Sequence, residues 1–315
     1  MPDITALAID LGGSHAACAV VRDGAVLASR SIPADGSRPL AQLLPELAKT
    51  LSELLTSAQI HTSDCSALVF GFCGITNARE NRVLDTNGKF EDAPSLDLSA
   101  WCRCQFGLPF LIENDARLAL LGEHAFGAAR GTQDAIMVTL GSGIGGSALL
   151  DGRLLQSKHG LAGTIGGHIP VVLGGRPCTC GNLGCAEAEA STSFLKEIYK
   201  EQAGTANGTL SGPEAIGFAQ VFEAADAGDK PALATLERCL EVWSALTVAL
   251  IHAYDPEVVV FGGSVLKRDA VILPRLQRYV DAHAWTPGRT VEIRAAELGS
   301  DAALLGAIPL IRLSH

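Results

Sequence analysis

One pattern of strands and glycine turns occurs twice in this sequence of 315 residues and limits the folds open to it. Residues 6–10 read as a short buried strand that runs into Asp10-Leu11-Gly12-Gly13-Ser14. Residues 16–21 form a second strand up to Asp23-Gly24, and residues 25–31 a third. Further along, residues 134–140 read as a strand that runs into Gly141-Ser142-Gly143-Ile144-Gly145-Gly146. Residues 147–150 then lead through Asp151-Gly152 to residues 153–156. Asp-Gly between apolar runs is a hairpin signal, because both turn positions need positive φ. Gly12 lies 12 positions before Gly24, and Gly141 lies 11 before Gly152, so the two runs share nearly one register. Hairpins occur in any mixed α/β protein, and the two could be unrelated. The shared register favours two structurally related halves, each offering a glycine turn to one cleft.

The rest of the chain alternates helices and strands. Leu44, Leu47, Leu51, Leu54 and Leu55 share one helical face, with Pro45 expected in the first turn. Residues 67–71 and 110–113 read as buried strands, and residues 116–128 as a helix. A Cys- and Gly-rich loop covers residues 168–189, and residues 204–210 read as a polar surface loop. Helices are expected over 211–228 and 232–254, separated by Lys230-Pro231. The near-continuous apolar run 257–261 reads as a strand covered on both faces and ends in Gly262-Gly263-Ser264. A helix (270–284), a strand (291–294) and a closing helix (302–313) complete the chain.

Composition narrows the functional classes. Hydrophobic residues make up 48% and charged residues 18%, and mean hydropathy is +0.26. Such a chain can bury a sizeable core, and its length suits two ordinary domains or one large one. Lys plus Arg number 24 against 34 Asp plus Glu, a formal charge of −10. That balance argues against nucleic acid as the main partner, because phosphate neutralisation rests on Lys and Arg. The longest apolar stretch, near residues 246–251, falls short of the ~18–20 residues of a membrane span. Met1-Pro2-Asp3-Ile4-Thr5 lacks the basic-then-apolar pattern of a signal peptide. Nine cysteines are an odd number, and a chain of this size needs no disulfide staples. A cytoplasmic protein without a membrane partner is expected.

Three glycine turns follow buried strands: Asp10-Leu11-Gly12-Gly13-Ser14, Gly141–Gly146 and Gly262-Gly263-Ser264. Glycines there let backbone N–H groups approach phosphate oxygens, and a strand-end carboxylate such as Asp10 can hold Mg²⁺. Neither a Walker motif nor a dinucleotide fingerprint is present. Ligands of open α/β sheets lie beyond the carboxyl ends of the strands, where all three turns would sit. Asp115, after Asn114 at the end of 110–113, is placed to accept a proton from a substrate hydroxyl. It could equally cap the helix that follows.

His168, Cys178, Cys180 and Cys185 form the sharpest cluster, with Gly174, Gly175, Gly181 and Gly184 permitting the close turns chelation requires. Three thiolates and one imidazole make a closed tetrahedral zinc shell of the structural type. Disulfides or unrelated buried thiols are the alternatives; the latter describes Cys18, Cys65, Cys73, Cys102, Cys104 and Cys239. Glu187, two positions after Cys185, could accept hydrogen bonds from sugar hydroxyls or be a solvated acid.

At these residues the sequence resembles the bacterial sugar kinases and repressors of the ROK family, in the actin-like ATPase superfamily. The resemblance spans nearly the whole chain. Its most specific part is Gly167-His168 followed by Cys178-Thr179-Cys180-Gly181-Asn182-Leu183-Gly184-Cys185-Ala186-Glu187 and Ser191. The Asp10 turn, Asn114-Asp115, the Gly141–Gly146 turn, Asp255-Pro256 before Gly262-Gly263, and Gly306 follow in the family's order. The resemblance implies an α/β fold of two actin-like (ribonuclease H-like) lobes with ATP in the cleft between them. A small lobe, residues 1–116, would be completed by residues 300–315, and a large lobe, 117–299, would carry the zinc loop.

The resemblance further implies phosphoryl transfer from ATP to a hexose, most often at the C6 hydroxyl, with Asp115 as general base. Asp10 would serve Mg²⁺, and Gly12, Gly13, Ser14, Gly141, Ser142, Gly143, Gly145 and Gly146 the phosphates. Gly262 and Gly263 would lie near the adenosine. Asn87, Asn114, Glu187 and His168 would contact the sugar, with His168 also on a structural Zn²⁺. Relatives are commonly dimers or tetramers. Two departures stand out. The family's Gly-Glu-apolar-Gly-His is here Gly163-Thr164-Ile165-Gly166-Gly167-His168, which removes a sugar-binding Glu. The family's Pro-Gly-Trp after the sugar-binding Asn is absent, and Asn87-Gly88-Lys89 stands in that place. The alternatives are a catalytically inactive sugar-sensing regulator, or a kinase for an amino sugar or an unusual hexose epimer. DNA-binding members carry an added N-terminal helical module, for which a first strand near Ala6 leaves no room.

Overall fold

A computed structural model describes residues 3–204, 209–210 and 216–314. The chain divides into two compact units: Met1–Thr132, Ser147–Thr164 and Ala296–His315 form the first, and Gln133–Gly146 and Ile165–Ala295 the second.

The first unit opens with β1 (Thr5–Leu11), β2 (His15–Arg22) and β3 (Ala25–Pro33), an antiparallel meander. At its Asp-Gly turn Asp23 has φ 38° and Gly24 φ 87°, as a primed hairpin turn demands. Helix α1 (Leu40–Ala58) follows, then β4 (Leu68–Phe72), a hairpin of β5 (Ile75–Asn77) and β6 (Arg82–Asp85), α2 (Leu98–Phe106), β7 (Phe110–Asn114) and α3 (Asp115–Phe126). The sheet runs β3-β2-β1-β4-β7, with β4 parallel to both β1 and β7. Leu44, Leu47, Leu51, Leu54 and Leu55 of α1 are buried in one core with Leu7, Ile9, Phe70 and Phe72 of the sheet. Pro45 is the sixth residue of α1 rather than part of its first turn. It removes one intrahelical hydrogen bond, toward Ala41, at an exposed position where water can reach the carbonyl.

The second sheet is built from β8 (Ala135–Leu140), β9 (Ile144–Leu150), β10 (Arg153–Leu154), β11 (Val258–Gly262) and β12 (Glu292–Ala295). Its order is β10-β9-β8-β11-β12, with β11 parallel to β8 and β12. Position for position this repeats the first sheet, so the doubled sequence pattern corresponds to one topology used twice. The hairpin turn again has two positive φ values, 49° at Asp151 and 69° at Gly152. The second unit's helices are α4 (Ala186–Ala190), α5 (Leu195–Ala203), α6 (Phe218–Asp226), α7 (Lys230–Tyr254) and α8 (Asp269–His283). Trp243 of α7 is fully buried and donates to the Ala190 carbonyl at 3.1 Å, tying α7 to α4.

The chain ends in α9 (Ala302–Leu305) and α10 (Ala307–Leu313), both packed on α3. The expected single closing helix is thus interrupted at Gly306. A Cβ at Gly306 would fall on the Leu118 carbonyl oxygen, and one at Gly122 on that of Ala302. The two backbones approach this closely only because both residues are glycine.

Other boundaries also move. Gly145 and Gly146 lie inside β9, so the second glycine turn is confined to Gly141, Ser142 and Gly143. The strand expected over 153–156 stops at Leu154. Lys230 and Pro231 begin α7 instead of preceding it, because the Asp229 side chain accepts the Ala232 N–H at 2.8 Å as the cap. Part of the helix expected over 211–228 and of the loop expected over 204–210 lies outside the described residues. Helix α3 belongs to the first unit, where 117–126 had been expected in the large lobe, because it packs on α9 and α10. No helix among the described residues is long and apolar enough to cross a membrane.

Candidate active site

Strands β1 and β7 flank β4 and run parallel to it, so their carboxyl ends reach the same edge of the first sheet. Asp10 lies next to the end of β1, and Asp115 follows β7 directly as the first residue of α3. Between the two strands is Gly71, in register with both Asp10 and Glu113. A Cβ there would lie 3.5 Å from Asp10 Oδ1, so glycine leaves room for that carboxylate. Burial, and then the charge of Asp115, push the Asp10 carboxyl from 3.8 up to about 7. Burial likewise raises the Asp115 carboxyl, opposed by hydrogen bonds and by the Lys89 ammonium. A buried carboxylate whose ionisation a second carboxylate opposes creates a place for a cation.

Asn114, not Asp115, caps α3: its Oδ1 accepts the Arg117 N–H at 3.2 Å, and its Nδ2 donates to the Gly74 carbonyl at 3.1 Å. Asn114 is buried and both ends of its amide are engaged. Asp115 Oδ1 accepts the local Ala116 N–H at 2.8 Å, the Asn114 side chain also hydrogen-bonds the carboxylate, and the residue is half-buried. Asn87 is exposed in a left-handed turn, φ 49°, with its N–H bonded to Asp85. The first glycine turn is closed by Gly12 N–H to the His15 carbonyl at 3.0 Å and by Gly36 N–H to the Gly13 carbonyl at 2.9 Å. Ser14 is exposed, with its hydroxyl 2.9 Å from His15 Nδ1.

Lys89 received no role from sequence. Its side chain lies over this turn: a Cβ at Gly13 would meet Lys89 Cδ and Cε at 3.1 Å and Nζ at 3.5 Å. Nothing in the spacing of Asn87-Gly88-Lys89 announces that proximity, because the contact comes from the folding of the loop after β6.

Beneath Asp115 is a buried ion pair. Arg117 Nε lies 3.5 Å from Glu113 Oε1, Arg117 Nη2 donates to the Leu155 carbonyl at 2.9 Å, and Nη1 reaches the Thr164 hydroxyl at 3.4 Å. Thr164, the residue found where a family Glu was expected, is buried and engaged with Arg117.

In the second unit, the residues 141–143 turn is held from two sides. Gly141 and Ser142 carbonyls accept the N–H groups of Thr192 and Ser193 at 3.0 and 3.2 Å. Glu187 Oε2 accepts the Ile144 N–H at 2.9 Å, and a side chain at Gly143 would collide with that carboxylate. Glu187 Oε1 is 4.0 Å from His168 Nδ1, so Glu187 joins the glycine turn to the Cys/His loop. Gly262 ends β11, and Gly263 adopts φ 94° where a Cβ would strike the Leu140 carbonyl. Gly145 and Gly146 are strand residues, and Gly146 Cα would lie 3.3 Å from a Cβ at Gly166.

The ligand atoms of His168, Cys178, Cys180 and Cys185 all lie within 4.8 Å of one another. Cys180 and Cys185 sulfurs are 3.7 Å apart, and Cys178 Sγ is 3.5 Å from His168 Nδ1. A tetrahedral zinc with bonds of about 2.3 Å to sulfur requires sulfur–sulfur edges of about 3.8 Å. The donor set and these edges fit zinc, and a disulfide between the pair does not match a 3.7 Å separation.

The ROK family model matches residues 6–313. The glucokinase of Thermotoga maritima is 30% identical over 319 residues, covering 99% of this chain and 98% of the relative. The N-acetylmannosamine kinase of Yersinia pseudotuberculosis is 32% identical, covering 98% of each. Among solved structures, a ROK-family glucokinase from Streptomyces griseus in complex with glucose and AMPPNP superposes with a TM-score of 0.82 at 26% identity, covering 98% of this chain and 99% of that one.

Proposed function

The chain belongs to the ROK family, and from that premise we propose that it is a sugar kinase that transfers the terminal phosphoryl group of ATP to a hexose or hexose derivative, at the C6 hydroxyl. The observation that carries the reading is the pair of carboxylates at one sheet edge, Asp10 and Asp115, beside the glycine turn of Gly12 and Gly13. Family members that act on glucose and on N-acetylmannosamine support the substrate class.

Asp115 is the general base. Its carboxylate accepts the hydroxyl proton as the oxygen attacks phosphorus, and its raised affinity for a proton suits it to that task. Asn114 fixes the start of α3 and thereby the direction in which Asp115 points. Asp10 would hold Mg²⁺, which neutralises phosphate charge when bound. Its position beside a second carboxylate, with both resisting ionisation, fits a divalent cation. Backbone amides of Gly13 and Ser14, and of Ser142 and Gly143, serve the phosphates, while the Gly12 and Gly141 N–H groups close their turns on the His15 and Gly143 carbonyls; Gly262 and Gly263 lie toward the adenosine. Asn87, Glu187 and His168 are the sugar-side groups, and Glu187 also braces the residues 141–143 turn.

Zinc held by His168, Cys178, Cys180 and Cys185 is structural: four protein donors leave no position for a substrate. Its work is to fix the loop from which α4 and Glu187 project.

Thr164 favours a sugar other than glucose within the same reaction, because it stands where the family's sugar-binding Glu is expected and its hydroxyl is turned to Arg117. An ADP-release assay across hexoses, their epimers and N-acetylhexosamines tests the proposal. Turnover on at least one sugar is expected, and none on any would transfer the assignment to a sugar-sensing protein that has lost the chemistry.

A further inference from the structure

The loop from β6 to α2 holds its backbone in an unusual conformation. Asn87, Gly88 and Phe90 all have positive φ, 49°, 77° and 54°. For a bulky residue such as Phe90 this is costly and persists only where surrounding contacts impose it. They do so here. The Phe90 ring is buried against Phe72, 6.4 Å between centroids, and its N–H donates to the Gly36 carbonyl at 2.6 Å. Lys89 N–H is tied to the Thr86 carbonyl at 3.1 Å. The anchored loop lays the Lys89 stem across two glycines: Cβs at Gly36 and Gly13 would meet it at 3.2 and 3.1 Å.

The ammonium at the end of that stem lies at the glycine turn and acts electrostatically on Asp115 and on Cys73, a thiol that burial pushes up to about 12. Among the described residues no carboxylate comes within ion-pairing distance of it. A lysine whose charge reaches the Asp115 carboxylate without pairing with it is a cation available to a ligand. The same turn offers backbone N–H groups suited to phosphate, and Asp115 marks where the accepting hydroxyl must be.

We propose that Lys89 is a further catalytic residue, whose ammonium holds the terminal phosphoryl group of ATP as it passes to the sugar; this rests on the kinase reading above. In the step, a bond forms from the sugar oxygen to the γ-phosphorus and the bond from that phosphorus to the β,γ-bridging oxygen breaks. The hydroxyl proton passes to Asp115, the electron pair leaves on the ADP oxygen, and Lys89 keeps its protons throughout. A fixed cation at the equatorial oxygens, over which the transition-state charge is spread, stabilises and positions the group in transfer.

The test compares the full-length wild type with Lys89→Met and Lys89→Arg. Turnover is measured on the best sugar of the panel, and affinities for AMPPNP, ADP and sugar by calorimetry with Mg²⁺ present. Lys89→Met is expected to lower kcat by roughly 10²–10³-fold and to weaken AMPPNP by about tenfold, while ADP and sugar binding change less than about twofold. Lys89→Arg is expected to retain more turnover than Lys89→Met. A thermal melt matching wild type certifies the fold; if the Met variant fails that check, Lys89→Gln takes its place. A kcat within about threefold of wild type, or equal losses of ADP and AMPPNP affinity, overturns the proposal alone. Absence of wild-type turnover on every sugar overturns the kinase reading and the proposal with it.

Discussion

Asp10 and Asp115, from strand ends two positions apart in the first sheet, each resist ionisation, and the charge of Asp115 adds to the burial that raises Asp10 to about 7. In an unfolded chain Asp10 titrates at 3.8, so between those two values the folded protein binds the extra proton. Stability therefore falls as pH rises through that window. Asp10→Asn removes the penalty. It is expected to raise the Tm of metal-free protein by about 2–5 °C at pH 8, and by less at pH 5. Thermal scans at the two pH values check this, with Mg²⁺ stabilising wild type more than the variant.

Zinc analysis of purified protein should give about one ion per chain. Cys178→Ser or Cys185→Ser should lose the ion and, through the loop that carries Glu187, weaken sugar phosphorylation. Elemental analysis paired with turnover reads both effects. A stably folded wild type that carries no metal and gains none on zinc titration would remove the site.

How much of this was legible beforehand differs by region. The Asp-Gly hairpins, the Asp10 turn and the Cys/His cluster were, because their chemistry depends on neighbours within a few positions. Cys178, Cys180 and Cys185 need only a compact loop to converge, and the positive φ at Asp23 and Gly24 follows from the dipeptide. Lys89 was not, because its place over Gly13 depends on Phe90 being drawn into the core from a strained loop. Helices α2, α4 and α5 and the β5–β6 hairpin are too short for periodicity to reveal. The break at Gly306 is imposed by α3, from residues nearly two hundred positions earlier. Sequence offered Asp115 as the cap of α3, and the structure gives that place to its neighbour Asn114, a residue of equal capping preference.

The meeting of Gly122 and Gly306 predicts a severe packing defect. Either glycine changed to alanine places a methyl group on a backbone carbonyl oxygen, of Ala302 or Leu118. Backbone cannot swing aside as a side chain does, so a loss of at least about 2–3 kcal/mol is expected. Urea unfolding of Gly122→Ala and Gly306→Ala measures it. A change below about 0.5 kcal/mol would mean the helices separate without cost.

The raised Asp115 carboxyl also sets the pH profile. A base must be deprotonated to act, so kcat/KM should fall on the acid side at a pH above the ordinary carboxylate range. A pH–rate profile with its acid limb at or below pH 4 would contradict that.

Turnover by Asp115→Asn, measured by ADP release beside calorimetric sugar binding, bears most closely on the role of this carboxylate. Loss of phosphorylation by about three orders of magnitude or more, with sugar affinity retained, is the predicted result. Turnover equal to wild type would remove Asp115 from the chemistry and the proposed mechanism with it.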